Sequence, residues 1–383
     1  GYDEAAGKII EGLKKLEYRG YDSSGIAILS DKGIELNKCK GEIKNLENMI
    51  AGRIPSGTCG IGHTRWATHG APSDVNSHPH MDQSGRVALV HNGIVENYVE
   101  LKEALINEHG IKFKSETDSE VIAQLVGVKY NANGGDLEKA VYDAIKEMRG
   151  TYAIGVIAED TPNKIVAYRK EAPLIAGLGK KSNFIASDIP ALLKYTNDIF
   201  LIENDEMVIC TPDSITIKDK DGKEVKREAM KITWSVEDAE KGGYEHFMLK
   251  EINEQPKVVA ETLNRRIDED GKIKLDGINL TKEELDNYNK IYIVACGTAY
   301  HAGLVGKYVI EKMAGIAVEV DVASEFRYRD PFIDEKTLFI AISQSGETLD
   351  TLMSLRLAKE KGARVLSVVN VVGSSIARES DDV

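Results

Sequence analysis

The chain is short of cysteine. Cys39, Cys59, Cys210 and Cys296 are its only four in 383 residues, far apart and forming no Cys-x-x-Cys pair. That scarcity excludes a disulfide framework and a zinc knuckle and fits a reducing compartment. Long apolar runs are missing too. No stretch approaches the roughly 18–20 apolar residues of a membrane helix, and no charged-then-apolar leader opens the chain, so a soluble, intracellular, cytoplasmic protein is expected. Positive charge is in deficit: 49 basic against 62 acidic residues leave a net charge of −13. This argues against a sequence-independent grip on nucleic acid, which phosphate neutralisation drives. A small anionic substrate stays open, because one local pocket can oppose the global sign. The absence of Gly-x-Gly-x-x-Gly and of Gly-x-x-x-x-Gly-Lys-Ser/Thr weakens dinucleotide and P-loop readings. No internal repeat or low-complexity tract is evident.

What is present is enough apolar residue, 42% of the chain, for more than one core, so two or three domains are expected. Residues 3–17 carry Ile9, Ile10, Leu13 and Leu16 at helical spacing. A turn at Gly20 and a strand over 24–29 follow. Further strands are expected at 87–91, 153–157, 165–169, 183–186 and 207–210, with helices near 97–108, 117–130 and 136–149. Residues 214–229 alternate around Asp221-Gly222, the signal of a hairpin with a type I′ turn. The first 235 residues thus read as a mixed domain rich in antiparallel strands. A charged, Gly-containing stretch at 237–255 reads as a linker between domains at 1–236 and 256–383. Beyond it, apolar strands at 290–295, 317–321, 337–342 and 364–370 alternate with helices, the pattern of a doubly wound parallel sheet.

In that second half, Ser343-Gln344-Ser345-Gly346-Glu347-Thr348 falls where a strand ends and a helix begins. Backbone N–H groups, the positive end of a helix dipole and three hydroxyls converge there, an anion cradle. Cys296-Gly297-Thr298-Ala299 forms a similar turn after the preceding strand. The competing reading makes these hydroxyls ordinary helix caps. Ser324–Arg329 reads as a solvated helix end or a subunit contact. In the first half, five of the eight histidines fall between His63 and His91. No pair has the helical metal-binding spacing, and the segment is rich in turn residues, so a polar pocket is expected rather than a metal site. Within it, Arg65 suits a substrate carboxylate. Asn92 with the backbone N–H of Gly93 suits an oxyanion. Asp118 reads either as the partner of an α-amino group or as an N-cap. Trp66 reads equally as packing or as function.

Taken together, Glu17–Ser23, HTRWATHG at 63–70, HNGIVEN at 91–97, SETDSEVI at 115–122, SEFRYR at 324–329 and SQSGET at 343–348 closely resemble the glutamine–fructose-6-phosphate aminotransferases, in that family's order and along essentially the whole chain. The resemblance implies an N-terminal Ntn-hydrolase-type αββα sandwich that releases ammonia from glutamine. It also implies an α/β sugar-isomerase (SIS) domain that binds fructose 6-phosphate and converts it, with that ammonia, to glucosamine 6-phosphate. By motif matching, Arg65, Thr68, His69, Gly93 and Asp118 are expected to hold glutamine, and Asn92 with Gly93 to form the oxyanion hole. Trp66 is expected to gate the ammonia passage, and Thr298, Ser343, Gln344, Ser345 and Thr348 to bind the sugar phosphate. No metal or organic cofactor is implied; the partners are the two substrates and a second copy in a homodimer, with no nucleic acid and no membrane.

The departures define further expectations. The family's nucleophile is an N-terminal Cys whose own α-amino group acts as base, whereas position 1 here is Gly. The family also continues into a second SIS domain and a tail that carry the isomerase acid/base groups and a Schiff-base Lys. The 383 residues alone are therefore expected to be an inactive fragment of a functional synthase. Ala299 stands where the family often has a hydroxyl. Two other readings compete: an amidophosphoribosyltransferase, which requires a diphosphate loop with paired acids after the linker, and a non-catalytic sugar-phosphate regulator.

Overall fold

The computed structural model describes residues 1–17, 20–66, 70–232, 244, 246–264, 266–268, 270–275 and 277–383, without the side chain of Phe247. The chain divides into two compact units, Gly1–Gly242 and Gly243–Val383. The helix Phe247–Asn264 begins inside the stretch 237–255 that composition alone suggested as a linker.

In the first unit, helix α1 (Ala5–Leu16) leads into strands β1 (Ser23–Ser30) and β2 (Gly33–Lys40), then α2 (Ile43–Ile50) and β3 (Cys59–Arg65). β1 lies between β2 and β3, antiparallel to both, with Ser23 opposite Arg65. The alternation of a pleated strand gives this small sheet two faces. Ile26 and Ile28 pack with Ile10, Leu13 and Leu46 under the helices, while Ala27 and Leu29 pack with Cys59 and Ile61 on the other side. That other side meets a second, seven-stranded sheet built around β4 (His80–Met81), β5 (Val87–Val95), β6 (Gly150–Ala158) and β7 (Ile165–Lys170). Its Ala88 and Ile157 close the space between the sheets. Its opposite face, through Val87, Leu89, Ile154 and Val156, packs against α3 (Tyr98–His109), α4 (Asp118–Ala132) and α5 (Leu137–Ile145). The layers are therefore helix, sheet, sheet, helix, the αββα arrangement of the Ntn type. α4 is buried nearly all round in its first two turns, including Asp118, Ser119 and Glu120, so its start lies inside the protein.

Strands β8 (Ile175–Gly177), β9 (Phe184–Ala186) and β10 (Asp198–Leu201) join β14 (Met230–Lys231) in a smaller sheet, while β11 (Glu206–Cys210), β12 (Ile215–Lys218) and β13 (Glu224–Val225) extend the seven-stranded one. The β12–β13 connection is not the two-residue type I′ turn expected at Asp221-Gly222. Gly222 has a positive φ of 79° and Asp221 does not, and the loop closes as Asp219–Lys223 with the Asp219 carboxylate accepting from the Asp221 and Lys223 N–H groups. The sequence reading places no strand at β3, which runs into the His63 motif.

In the second unit, helices α6 (Phe247–Asn264) and α7 (Lys282–Asn287) precede β15 (Lys290–Ala295), α8 (Gly297–Ala314), β16 (Ala317–Val322), α9 (Ala323–Tyr328), β17 (Thr337–Ser343), α10 (Leu349–Glu360), β18 (Arg364–Val369) and α11 (Ser375–Glu379). The four strands are parallel in the order β16-β15-β17-β18. α8 lies on the Ile291/Ile293 face, where Gly303 admits it so closely that a Cβ would sit 2.9 Å from Ile293. α9 and α10 bury Phe326, Leu352 and Leu355 on the face of Tyr292, Val294 and Phe339. The sheet is thus doubly wound, and its strand order reverses between β15 and β17.

Gly62 shows how tight the first helix–sheet contact is, because a Cβ there would lie 2.4 Å from Ile9 and 3.1 Å from Ile26, whereas one at exposed Gly7 of α1 meets nothing within 4 Å. Gly62→Ala should therefore destabilise the first unit by about 1–3 kcal/mol through overpacking. Gly7→Ala should stabilise it by about 0.5–1 kcal/mol through backbone entropy. Urea unfolding of the two variants checks the opposite signs.

Candidate functional site

The inward face of β3 is apolar at Cys59 and Ile61, then carries His63 and finally buried Arg65. Across the sandwich β5 runs inward through Ala88 and Val90 and then reaches Asn92. The two pleats therefore deliver His63, Arg65 and Asn92 to one end of the inter-sheet space. His63 Nε2 lies 2.7 Å from Asn92 Oδ1. Gly93 follows with φ 122°, and a Cβ there would sit 2.0 Å from the Thr151 carbonyl oxygen, so no other residue fits without moving the backbone.

From the helical side, the N-terminus of α4 brings Asp118. Thr117, not Asp118, is the N-cap: its hydroxyl accepts from the Glu120 N–H at 3.2 Å. Asp118 is the first helical residue, where a carboxylate favours the helix dipole. Its Oδ2 accepts from the Val95 N–H at 3.0 Å, tying α4 to the strand that bears Asn92 and Gly93. Burial lowers the pKa of Arg65, while Asp118 and then Asp22 oppose that shift. A buried guanidinium and a buried carboxylate in one field form an arrangement suited to a zwitterionic α-amino acid. Trp66 is 56% exposed, with its ring edge-on to Tyr21 at 5.4 Å. Thr68 and His69 lie outside the described residues, as do Tyr18 and Arg19.

The histidines stack rather than chelate. His63 and His78 are parallel at 4.4 Å, His78 and His80 meet edge to face at 5.0 Å, and His91 Nδ1 is 2.9 Å from Ser119 Oγ. Among the described residues no group of three or more His, Cys, Asp or Glu side chains is placed to hold a metal ion. Burial depresses the pKa of His63 to about 4 and those of His78 and His80 well below the ordinary value, so all three rings are neutral.

In the second unit the strand order reverses between β15 and β17, and ligands of open α/β sheets bind outside the carboxyl ends of strands at such a point. Cys296–Ala299 and Ser343–Thr348 flank it. The capping alternative fails here: neither Cys296 before α8 nor Thr348 before α10 caps its helix through the side chain, so both N-termini keep backbone donors for another acceptor. Ser343 Oγ instead accepts from the Gly346 N–H at 3.0 Å and lies 3.4 Å from Thr348 Oγ1, shaping the loop. Gly346 has φ 65°. Ser345 Oγ accepts from the Glu347 N–H at 3.2 Å, while Thr298 and Gln344 are exposed at the rim. Sequence reasoning missed the clamp behind this loop: Glu347 Oε1 accepts from the Ser375 N–H at 2.8 Å, and the Gly346 carbonyl accepts from Ile376. Only the fold brings α11 there. Ser324–Arg329 is α9 and its end; Arg327 pairs with Asp350 at 3.6 Å and Arg329 with Asp321 at 2.6 Å, both within the unit.

The fold and the domain matches define a glutamine amidotransferase domain followed by a sugar-isomerase domain. The model of the glutamine amidotransferase domain matches residues 63–194 and that of the SIS domain residues 284–383. All 383 residues align at 59% identity with the glutamine–fructose-6-phosphate aminotransferase (isomerizing) of Clostridium tetani and at 58% with that of Clostridium perfringens, and the chain spans 62% of the length of each relative. Along its whole length the chain is thus similar to those aminotransferases. A solved glutamine phosphoribosylpyrophosphate amidotransferase from B. subtilis superposes with a TM-score of 0.52 at 17% identity, covering 97% of this chain and 80% of that one, a likeness of fold alone.

The neutral imidazoles generate a pH dependence. Between the ordinary His value of 6.5 and about 4 the unfolded chain takes up protons that folded His63 refuses, so stability rises with pH across that window and is lost as pH falls through it. Each such ring contributes about 1.4 kcal/mol per pH unit. Urea midpoints of the first unit should therefore fall from pH 6.5 to 5, above the carboxylate range, and His63→Gln should flatten that slope.

Proposed function

We propose that the protein of which these residues form part converts fructose 6-phosphate to glucosamine 6-phosphate with ammonia from glutamine, the first unit binding glutamine and the second the sugar phosphate. The observation that carries the reading is the convergence of Arg65, Asn92, Gly93 and Asp118 from three separate elements on one end of the sandwich. In it the Arg65 guanidinium holds the α-carboxylate and Asp118 the α-ammonium. The Asn92 amide nitrogen and Gly93 N–H stabilise the oxyanion that forms when the side-chain amide is attacked. Thr68 and His69 complete the amino-acid pocket, and Trp66, largely exposed beside it, gates the passage of ammonia. At the switch point the free N–H groups of α8 and α10, with Thr298, Ser343, Gln344, Ser345 and Thr348, hold the phosphate. The domains span 1–236 and 256–383. The protein is cytoplasmic and homodimeric; among the described residues no helix is long and apolar enough to cross a membrane. The purely regulatory reading is disfavoured by the amidotransferase pocket and by the aminotransferase relatives.

The 383-residue chain on its own binds glutamine without hydrolysing it. Burial raises the thiol pKa of Cys59 to about 11 and of Cys210 to about 12 and also raises that of Cys39, so these groups stay protonated and none serves as a nucleophile. Cys296 belongs to the other unit and has no α-amino group beside it.

Calorimetric titration tests the assignments separately. Glutamine should bind the wild-type chain, and Arg65→Met should weaken it about 10- to 100-fold, the loss of a charge-assisted pair, while leaving fructose 6-phosphate binding unchanged. Ser343→Ala should show the reverse pattern, weakening fructose 6-phosphate by about tenfold. Failure of both ligands to bind, or ammonia release from glutamine by this chain, would overturn the reading.

A further inference from the structure

The imidazole of His63 packs against Asn92 from the facing sheet, and the chemistry of a carboxamide supplies a reason. The two ends of an Asn side chain have the same shape and opposite hydrogen-bonding character, so which end faces the pocket depends on what the inner end meets. Asn92 Oδ1 meets His63 Nε2 at 2.7 Å, and Asn92 Nδ2 makes no hydrogen bond among the described residues.

We propose that His63 is a positioning residue: an imidazole carrying its single proton on Nε2 fixes the Asn92 carboxamide with its oxygen inward, so that the amide nitrogen donates into the glutamine pocket. The inference rests on the oxyanion role of Asn92 proposed above. Oδ1 only accepts, so the Nε2 facing it must donate. The ring is half-buried and neutral, leaving Nδ1 bare, and that buried Nδ1 has no partner among the described residues. The opposite tautomer would bury an unpartnered N–H at Nδ1, which proteins rarely tolerate, and set two lone pairs against each other at Nε2. It would also force the carboxamide to turn its oxygen toward the pocket, where it repels the negative charge that glutamine develops under attack.

The surroundings hold the ring rather than compete for it. His78 stacks on it at 4.4 Å with planes 23° apart, and His78 Nδ1 accepts from the His91 N–H at 3.4 Å. His91, one residue earlier on β5, points to the helical side and bonds Ser119 instead. His63 thus acts on the reaction only through Asn92.

The test uses the 383-residue chain with ¹⁵N-labelled histidine and asparagine. Long-range ¹⁵N–¹H spectra without ligand should show the His63 Nε2–H tautomer, assigned by its loss in His63→Gln. On addition of glutamine the Asn92 side-chain amide resonance should shift in the wild type. His63→Leu should abolish that shift while changing the glutamine Kd less than about threefold, and His63→Gln, which keeps an N–H donor, should restore it. An Nδ1–H tautomer, or an Asn92 response that persists in His63→Leu, would overturn the proposal. A wild type that binds no glutamine would refute the pocket itself, whereas the tautomer, read without ligand, still decides how His63 holds Asn92. If His63→Leu fails to fold, the tautomer and His63→Gln carry the decision.

Discussion

The first unit depends on the two facing pleats of β3 and β5. Because side chains alternate strictly along a strand, the register that puts Cys59 and Ile61 against Ala88 and Ile157 also puts His63, Arg65 and Asn92 inside at the open end. A slip of one residue would turn all of them outward together. The antiparallel pairing of β3 with β1 over seven residues, from Cys59 opposite Leu29 to Arg65 opposite Ser23, holds that register. The apolar part of the interior and the polar cluster are successive rungs of the same ladder, so stability and the proposed binding are set by one geometric choice.

The anion site proposed for the second unit arises by different means. No charged side chain is required, because parallel strands oblige each following helix to start at the same edge of the sheet. α8 and α10 leave that edge on opposite faces, and their uncapped starts stand side by side beyond β15 and β17. The Glu347 clamp to α11 then fixes the loop that carries the hydroxyls. A chain with net charge −13 can in this way present a local positive potential built from backbone dipoles.

The parallel half was the more legible in sequence, since strands such as TLFIAI are apolar throughout and end in a Gly/Ser turn. β3 was not, and the cause is physical: Gly60 and Gly62 occupy its outer face because Ile9 of α1 and Ile28 of β1 leave no room for a side chain, so the strand shows neither alternation of apolar residues nor β-branched richness. The site motifs could be read as a set, but their roles could not be assigned from spacing. Asp118 looked like a cap until Thr117 took that position, and the contact of His63 with Asn92 joins residues 29 positions apart through the packing of two sheets. Asp221-Gly222 misled because the side chain of Asp219 organises a longer loop than the dipeptide suggests.

The central claim is that one chain carries two separate ligand pockets, one at the end of an inter-sheet space and one at a strand-order reversal. Hydrogen-exchange mass spectrometry with each ligand in turn tests it most directly. Glutamine should slow exchange in the segments around 63–70, 91–97 and 115–122 and leave the second unit unchanged, while fructose 6-phosphate should slow exchange around 296–300 and 343–352 and leave the first unit unchanged. Protection by either ligand outside its own set of segments, or none within it, would contradict the account.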